Sequence, residues 1–298
     1  MPYEPLQGLV KKHTLSAVEI QSLRQLADEC ERYEHLHMRI EWRQLQQRAG
    51  FVVKDFLYYE DGALVGYLTL DDQGSQQNEV VGMVHPEYRR RGIFRQLLAA
   101  AASECQLRGM QQLILVCERN SRAGHAFLRA QGATLSESEH EMLLTHIPQR
   151  TAFDERLTIH KADIHEAEAL IKVQSESFGD PVDATRRRVL HCLQNPTRPY
   201  YLAVFGDEEV GCHEPVGSFR LETAQEVVGI YAFGVRPDYQ GRGYGRQILE
   251  EAIFILHSQN AARSIMLDVD VENSRALHLY RACGFEVRTT YDYYVLDL

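Results

Sequence analysis

The sequence predicts an α/β protein built from two copies of one domain. Three observations carry this. Strand and helix patterns alternate along the chain, two separated motifs recur at almost one spacing, and a glycine-rich stretch stands where a strand gives way to a helix. VHPEYRRRGIF at 84–94 matches VRPDYQGRGYG at 235–245 in Val, Pro, Tyr, Arg and Gly, at an offset of 151 residues. NSRAGHAF at 120–127 matches NSRALHLY at 273–280 in Asn, Ser, Arg, Ala and His, at an offset of 153. Two matches at nearly one offset, in a chain of 298 residues, mark a duplication. The copies are expected at 1–147 and 156–298, joined through PQRTAFDE.

In the N-terminal copy the pattern gives a long helical region from Ser16 to Gln47, with no clear first strand. DFLYYEDGALVGYLTL then reads as a hairpin turning at Asp61-Gly62. In the C-terminal copy RLTIHKA is a short strand, and DIHEAEALIKVQSESF has apolar residues at helical spacing after an aspartate cap. DATRRRVLHCLQN is a second helix; PYYLAVFGD, EPVGSFRLE and EVVGIYAFGV are strands. Ile248, Leu249, Ala252, Ile253, Ile255 and Leu256 form a helical stripe after the glycines. RSIMLDVD is a strand, NSRALHLYRAC a helix, and EVRTTYDYYVLDL a strand pair or one long strand.

Composition narrows the function. Hydrophobic residues make up 44% and charged residues 25%, and no apolar run approaches a membrane span. The N-terminus has no apolar signal core, so a cytoplasmic protein with no membrane association is expected. The six cysteines are scattered without a C-x-x-C pair and read as reduced, mostly buried thiols. His35 and His37 lie two apart on a helical pattern and point to different faces, so no metal site is expected. The net charge of −10 argues against nucleic acid as a partner and weakly favours cationic small substrates.

Glycine weakens a helix by about 1 kcal/mol relative to alanine, so Gly241, Gly243 and Gly245 at a helix start need a reason. The first turn of a helix has N–H groups without partners and a positive dipole end, which suit a phosphate or pyrophosphate. Glycine lets the backbone approach the oxygens and permits the positive φ of an anion nest. The G-x-x-x-x-G-K-[ST] loop is absent, and Arg246 breaks the dinucleotide G-x-G-x-x-G pattern.

What remains is Gln240-Gly241-Arg242-Gly243-Tyr244-Gly245. It resembles the [Q/R]-x-x-G-x-[G/A] loop of GCN5-related N-acetyltransferases (the GNAT family), and NSRALHLYRACGF resembles that family's second cofactor motif. The doubling is similar to the arrangement of mycothiol synthase and related proteins. The resemblance implies two tandem GNAT-like domains, each a mixed, mostly antiparallel sheet flanked by helices, with a splayed parallel strand pair. It covers the C-terminal copy well and the N-terminal copy less closely.

The resemblance also implies acetyl-CoA as cofactor and a small-molecule amine as acceptor. Residues 240–245 would take the pyrophosphate. Backbone N–H groups at Phe233, Gly234 and Val235 would polarise the thioester carbonyl, and Asn273 would hold the pantetheine arm, a role that can coexist with a plain helix N-cap. Tyr280, two helical turns beyond Asn273, would protonate the departing thiolate. Some relatives carry a glutamate where this chain has Gly229, and Tyr231 is the next residue on that face; Glu222, Glu226 and His213 are the candidate bases, Glu222 and Glu226 ranked first, with solvated strand-end carboxylates as the plainer reading. In the N-terminal copy Phe94 replaces the last small residue of the loop and Phe127 replaces Tyr280, so that copy is expected to have lost catalysis. A non-catalytic acyl-CoA-binding or interaction module is the alternative, and a protein or peptide acetylase is a rival within the enzyme class.

Overall fold

The computed structural model describes residues 6–48, 50–71, 78–151, 153–195, 197–207, 212–224, 227–259 and 264–298. The chain divides into two compact units, one of residues 1–139 with 289–298 and the other of residues 140–288. The division is therefore not linear. Strand β6 (Thr134–Leu144) leaves the first unit and enters the second, and strand β12 (Phe285–Asp297) makes the return passage.

Unit 1 begins with β1 (Gly8–Lys12), a strand absent from the sequence-based expectation. The long helical region resolves into α1 (Ala17–Glu34) and a short α2 (Trp42–Gln47). Ser16 and Glu19 form a capping box that fixes the start of α1. Strands β2 (Asp55–Glu60) and β3 (Ala63–Asp71) form the expected hairpin, with positive φ at both Asp61 and Gly62, as its two-residue turn requires. β4 (Asn78–Val84), α3 (Ile93–Leu107), β5 (Gln112–Glu118) and α4 (Arg122–Gln131) follow. β1 to β4 pair antiparallel in sequence order, β4 and β5 pair parallel, and β5 pairs antiparallel with the 291–297 stretch of β12.

Side-chain alternation divides β4 between two cores. Val80 and Val84 join Leu97, Leu98 and Ala101 of α3, while Val81 and Met83 join Leu23, Leu26 and Cys30 of α1.

Unit 2 repeats the plan. β7 (Leu157–Lys161), α5 (Ala167–Phe178), α6 (Val182–Leu193), β8 (Tyr200–Asp207), β9 (Cys212–Ala224), β10 (Val227–Val235), α7 (Tyr244–Gln259), β11 (Ser264–Asp270) and α8 (Ser274–Ala282) lead into β12. β7, β8, β9 and β10 pair antiparallel in order, and β10 pairs parallel with β11. Within each unit the strand pairing is thus mixed and mostly antiparallel, with helices on both faces. The EVRTTYDYYVLDL segment lies in one long strand rather than a pair.

Ile248, Leu249, Ala252, Ile253 and Leu256 of α7 form one core with Val216, Phe219, Val228 and Leu267. Leu170, Ile171, Val173, Val189 and Cys192 of α5 and α6 form the other with Tyr200 and Leu202. The joining segment is fastened along α7: Thr151 N–H donates to Glu250, and Asp154 N–H donates to Gln247 Oε1 at 3.0 Å. Cys30, Cys105, Cys117, Cys192 and Cys283 are free and buried. Among the described residues no helix is long and apolar enough to cross a membrane.

Candidate active site

The site begins with an irregularity in β10. Val227–Tyr231 pairs in register with Ala224–Arg220 of β9, and the register then slips so that Gly234 faces Ser218. The extra residue is accommodated by Ala232, whose φ of 50° puts an L-residue in the left-handed region. Parallel pairing with β11 covers only Val227–Gly229 and Ser264–Met266, although the strands run on to Val235 and Asp270. Past Gly229 the two strands part, and the peptide groups of Ala232, Phe233 and Gly234 lie on the bulged arm of that opening.

The bulge has a specific support. Gln174 of α5 is fully buried, and its Nε2 donates to the Ala232 carbonyl at 2.8 Å and to Ser218 Oγ at 2.7 Å. Nothing in the sequence pattern distinguished Gln174, which sits among apolar helix residues, and alanine does not announce a left-handed turn.

β10 leads through a single 3-10 turn, Pro237–Tyr239, into the glycine loop. Gly241 has φ +77° and Gly243 φ +86°. A Cβ built on either meets nothing nearer than the side-chain tips of Arg275 at 3.8 Å and Gln247 at 3.9 Å. These two glycines serve backbone conformation and leave the turn bare. Gly245 differs: its φ is helical and its added Cβ would lie 3.4 Å from Leu279 Cδ2, so it serves close packing of α7 on α8. The Gln247 N–H donates back to the Gly243 carbonyl, so the N–H groups of Tyr244, Gly245 and Arg246 have no acceptor within the helix.

Gln240 pins the loop at both ends, donating to the Val235 carbonyl at 2.7 Å and accepting from Arg275 at 2.6 Å. Arg242 is exposed, its guanidinium 5.5 Å from the ring centroid of Tyr239. The Tyr244 side chain turns inward against Phe205 and Tyr239, leaving only its backbone to the loop.

Asn273 caps α8, its Oδ1 accepting the Ala276 N–H at 3.0 Å. Tyr280 is 6% exposed and packs between Phe233 and Phe285, with ring centroids 6.0 and 6.3 Å away. The structure thus brings Tyr280 to the bulged arm of β10. Burial pushes its phenol well above the ordinary tyrosine value, which keeps it protonated. Its hydroxyl makes no hydrogen bond among the described residues.

The candidate bases fare differently. Glu222 faces Gly229 across the β9–β10 pair and is engaged by Arg198 at 2.7 Å and Arg220 at 3.8 Å. Glu226 lies outside the described residues. At Gly229 a Cβ would stand 2.2 Å from Cε2 of Tyr231 and 2.8 Å from its hydroxyl. The Tyr231 ring therefore covers the backbone where a side chain at 229 would emerge.

Unit 1 keeps the positive φ of the loop glycine at Gly92, +80°, but departs at several other points. β4 pairs with β3 in unbroken register from Gly66↔Val84 to Asp71↔Glu79, with no bulge. Arg90 stands in the place of Gly241 with φ 66°. Phe94 packs edge-on against Phe127 at 4.9 Å and over Gly82, the counterpart of Phe233. Asn120 is tied back to Glu118, and Ser121 caps the helix instead.

A model of the acetyltransferase (GNAT) family matches residues 19–133 and 167–285. The chain belongs to that family, in tandem form, and is an acetyltransferase. It is 26% identical over 300 residues to a mycothiol acetyltransferase of Thermomonospora curvata, covering 94% of each. Its fold is similar to a GCN5-related N-acetyltransferase from Sphaerobacter thermophilus, with TM-score 0.77, 18% identity and coverage of 97% and 95%. It is also similar to a tandem GNAT protein from the clavulanic acid biosynthesis pathway, with TM-score 0.73, 16% identity and coverage of 97% and 98%.

Proposed function

We propose that the protein transfers an acetyl group from acetyl-CoA to the primary amine of a small molecule, with the site in unit 2. One observation carries this reading: the arm of β10 that has parted from β11 is bulged at Ala232 and leads into a bare glycine turn, and the corresponding strand of unit 1 is regular. The donor would supply an activated thioester. The residues present fit such a ligand, since the loop is free of side chains where N–H groups stand unpaired.

In this reading the N–H groups of Tyr244–Arg246 hold the pyrophosphate, and those of Phe233 to Val235 donate to the thioester carbonyl. A well-placed donor of this kind contributes about 3 kcal/mol to the transition state. Asn273 retains a free amide nitrogen for the pantetheine arm while its oxygen caps α8. Tyr280, kept protonated by burial, gives its proton to the leaving sulfur. Glu222 is the described carboxylate that register places opposite Gly229 and is the candidate to receive the amine proton. The Thermomonospora relative is called a mycothiol acetyltransferase; at 26% identity the substrate specificity behind that name does not carry over.

The experiment is calorimetric titration of acetyl-CoA into wild type, Gly243→Glu and Gly92→Glu. A stoichiometry of one, abolished only by Gly243→Glu, supports the reading. Two sites, one lost in each variant, would put a working loop in unit 1 as well, and no binding would sink the proposal.

A further inference from the structure

We infer that Gln174 is a positioning residue for the acetyl-transfer site: it holds the β10 bulge that aims the backbone donors at the thioester. This rests on the reading above of unit 2 as the acetyl-CoA site.

The geometry is specific. The Gln174 amide nitrogen reaches the carbonyl of the one left-handed residue in the bulge and the side chain of Ser218, the residue facing the bulge's far end. A carbonyl can only accept, so the nitrogen rather than the oxygen of the amide must face Ala232. Both of its N–H groups are thereby spent on the bulge. The remaining oxygen, Oε1, is buried without a partner, as is Ser177 Oγ one turn later on α5. Buried polar atoms normally find partners, and an orphaned one is costly. An apolar residue of similar size would avoid that cost, so the amide is not explained by packing.

The opposing cost lies in Ala232. An L-residue at positive φ is held only where its surroundings over-determine it. Without the amide, a regular strand like β4 is the expected alternative. Unit 1 supplies the comparison within the same chain. Cys30 stands four residues before the end of α1, as Gln174 stands four before the end of α5. Its thiol approaches the Val84 carbonyl at 3.5 Å, and β4 beneath it runs without a bulge. The copy with the amide has the bulge; the copy without it has none.

The test uses acetyl-CoA labelled with carbon-13 at the acetyl carbonyl, bound to the full chain in the absence of any amine. Hydrogen bonding to the carbonyl moves its resonance downfield of free acetyl-CoA. Gln174→Met is expected to lose at least half of that displacement while Kd changes by no more than about threefold, because the pyrophosphate loop is untouched. Ala232→Gly removes the conformational penalty, so Gln174→Met/Ala232→Gly is expected to recover most of the displacement. A purely structural role would not give that recovery in the spectrum. Gln174→Glu serves as a second variant, retaining one donor when protonated and none when ionised, so its displacement is expected to fade as pH rises. An unchanged displacement in Gln174→Met and Gln174→Glu, with binding intact, overturns the role of Gln174 and leaves the functional reading standing. Failure of wild type to bind acetyl-CoA overturns the functional reading, and this assignment with it.

Discussion

Phe94 meets Phe127 edge-on, ring centroids 4.9 Å apart, above the bare Cα of Gly82. In unit 2 the corresponding aromatic contact is between Phe233 and Tyr280, and the helix position is Gly245. The large side chain has moved from the strand to the first turn of the helix. There its bulk stands where a backbone-bound anion would approach. Phe94→Ala is expected to destabilise unit 1 by about 2 kcal/mol, since the ring is only half-buried. It is not expected to create a second acetyl-CoA site, because β4 still has no bulge. Titration of that variant should give an unchanged stoichiometry, and a gain of one site would overturn the account.

Tyr280→Phe separates binding from chemistry. The hydroxyl has no partner to lose among the described residues, so thermal stability at neutral pH should stay within about 0.5 kcal/mol of wild type. With an amine acceptor in hand, kcat should fall by about 100-fold or more, with little change in KM for acetyl-CoA. The pH dependence has a definite sign. Burial raises the folded-state value of this phenol above its unfolded value near 10, so its contribution is complete below about pH 10 and is lost as pH rises further. Wild type should therefore lose stability in that alkaline window more steeply than Tyr280→Phe. Coincident alkaline denaturation curves would remove the burial argument.

Gly229 offers a test of what covers the strand at the point where β10 and β11 part. A Cβ there would stand 2.2 Å from the Tyr231 ring, so any side chain must displace that ring. Gly229→Glu should cost about 1–3 kcal/mol through overpacking. Tyr231→Ala in the same chain should recover much of that loss, giving a coupling energy above about 0.5 kcal/mol in a double-mutant cycle. Additive effects would mean that the tyrosine does not exclude a side chain at 229. The cycle can be followed by denaturant unfolding alone and needs no acceptor.

The glycine loop and the duplication were legible in the sequence because their causes are local. Only glycine takes φ near +80° without strain, and motifs recur wherever the same backbone must recur. Asn273 and Tyr280 were legible through that same recurrence, and the departures at Phe94 and Phe127 showed against it. β1 escaped because GLVKK is five residues with little alternation. The bulge escaped because an alanine at φ 50° is held there by a residue on another helix, Gln174, which no nearby pattern marks. The path of β12 escaped for the same reason: the partner of Tyr291–Asp297 is β5, far away in sequence.

That last strand carries its own prediction. Residues 289–298 complete the sheet of unit 1, where Tyr291 faces Glu118 and Asp297 faces Gln112. Asp292 is buried and accepts from Arg119 at 2.5 Å and from Ser138 at 2.7 Å, while Thr289 donates to the buried Glu118 at 2.6 Å. Asp292→Ala strands a guanidinium and a hydroxyl at once. Because Arg119 retains considerable exposure, the cost should be about 2 kcal/mol rather than the larger penalty of a fully buried pair. Truncation after Arg288 removes the part of β12 that pairs with β5 and leaves that edge of β5 unpaired. Hydrogen exchange should then lose protection first in β4 and β5, while Leu267 and Val269 of β11 stay protected. Loss of protection in β11 at the same rate would mean that the final strand stabilises both units equally, contrary to the division of the chain at 139 and 289.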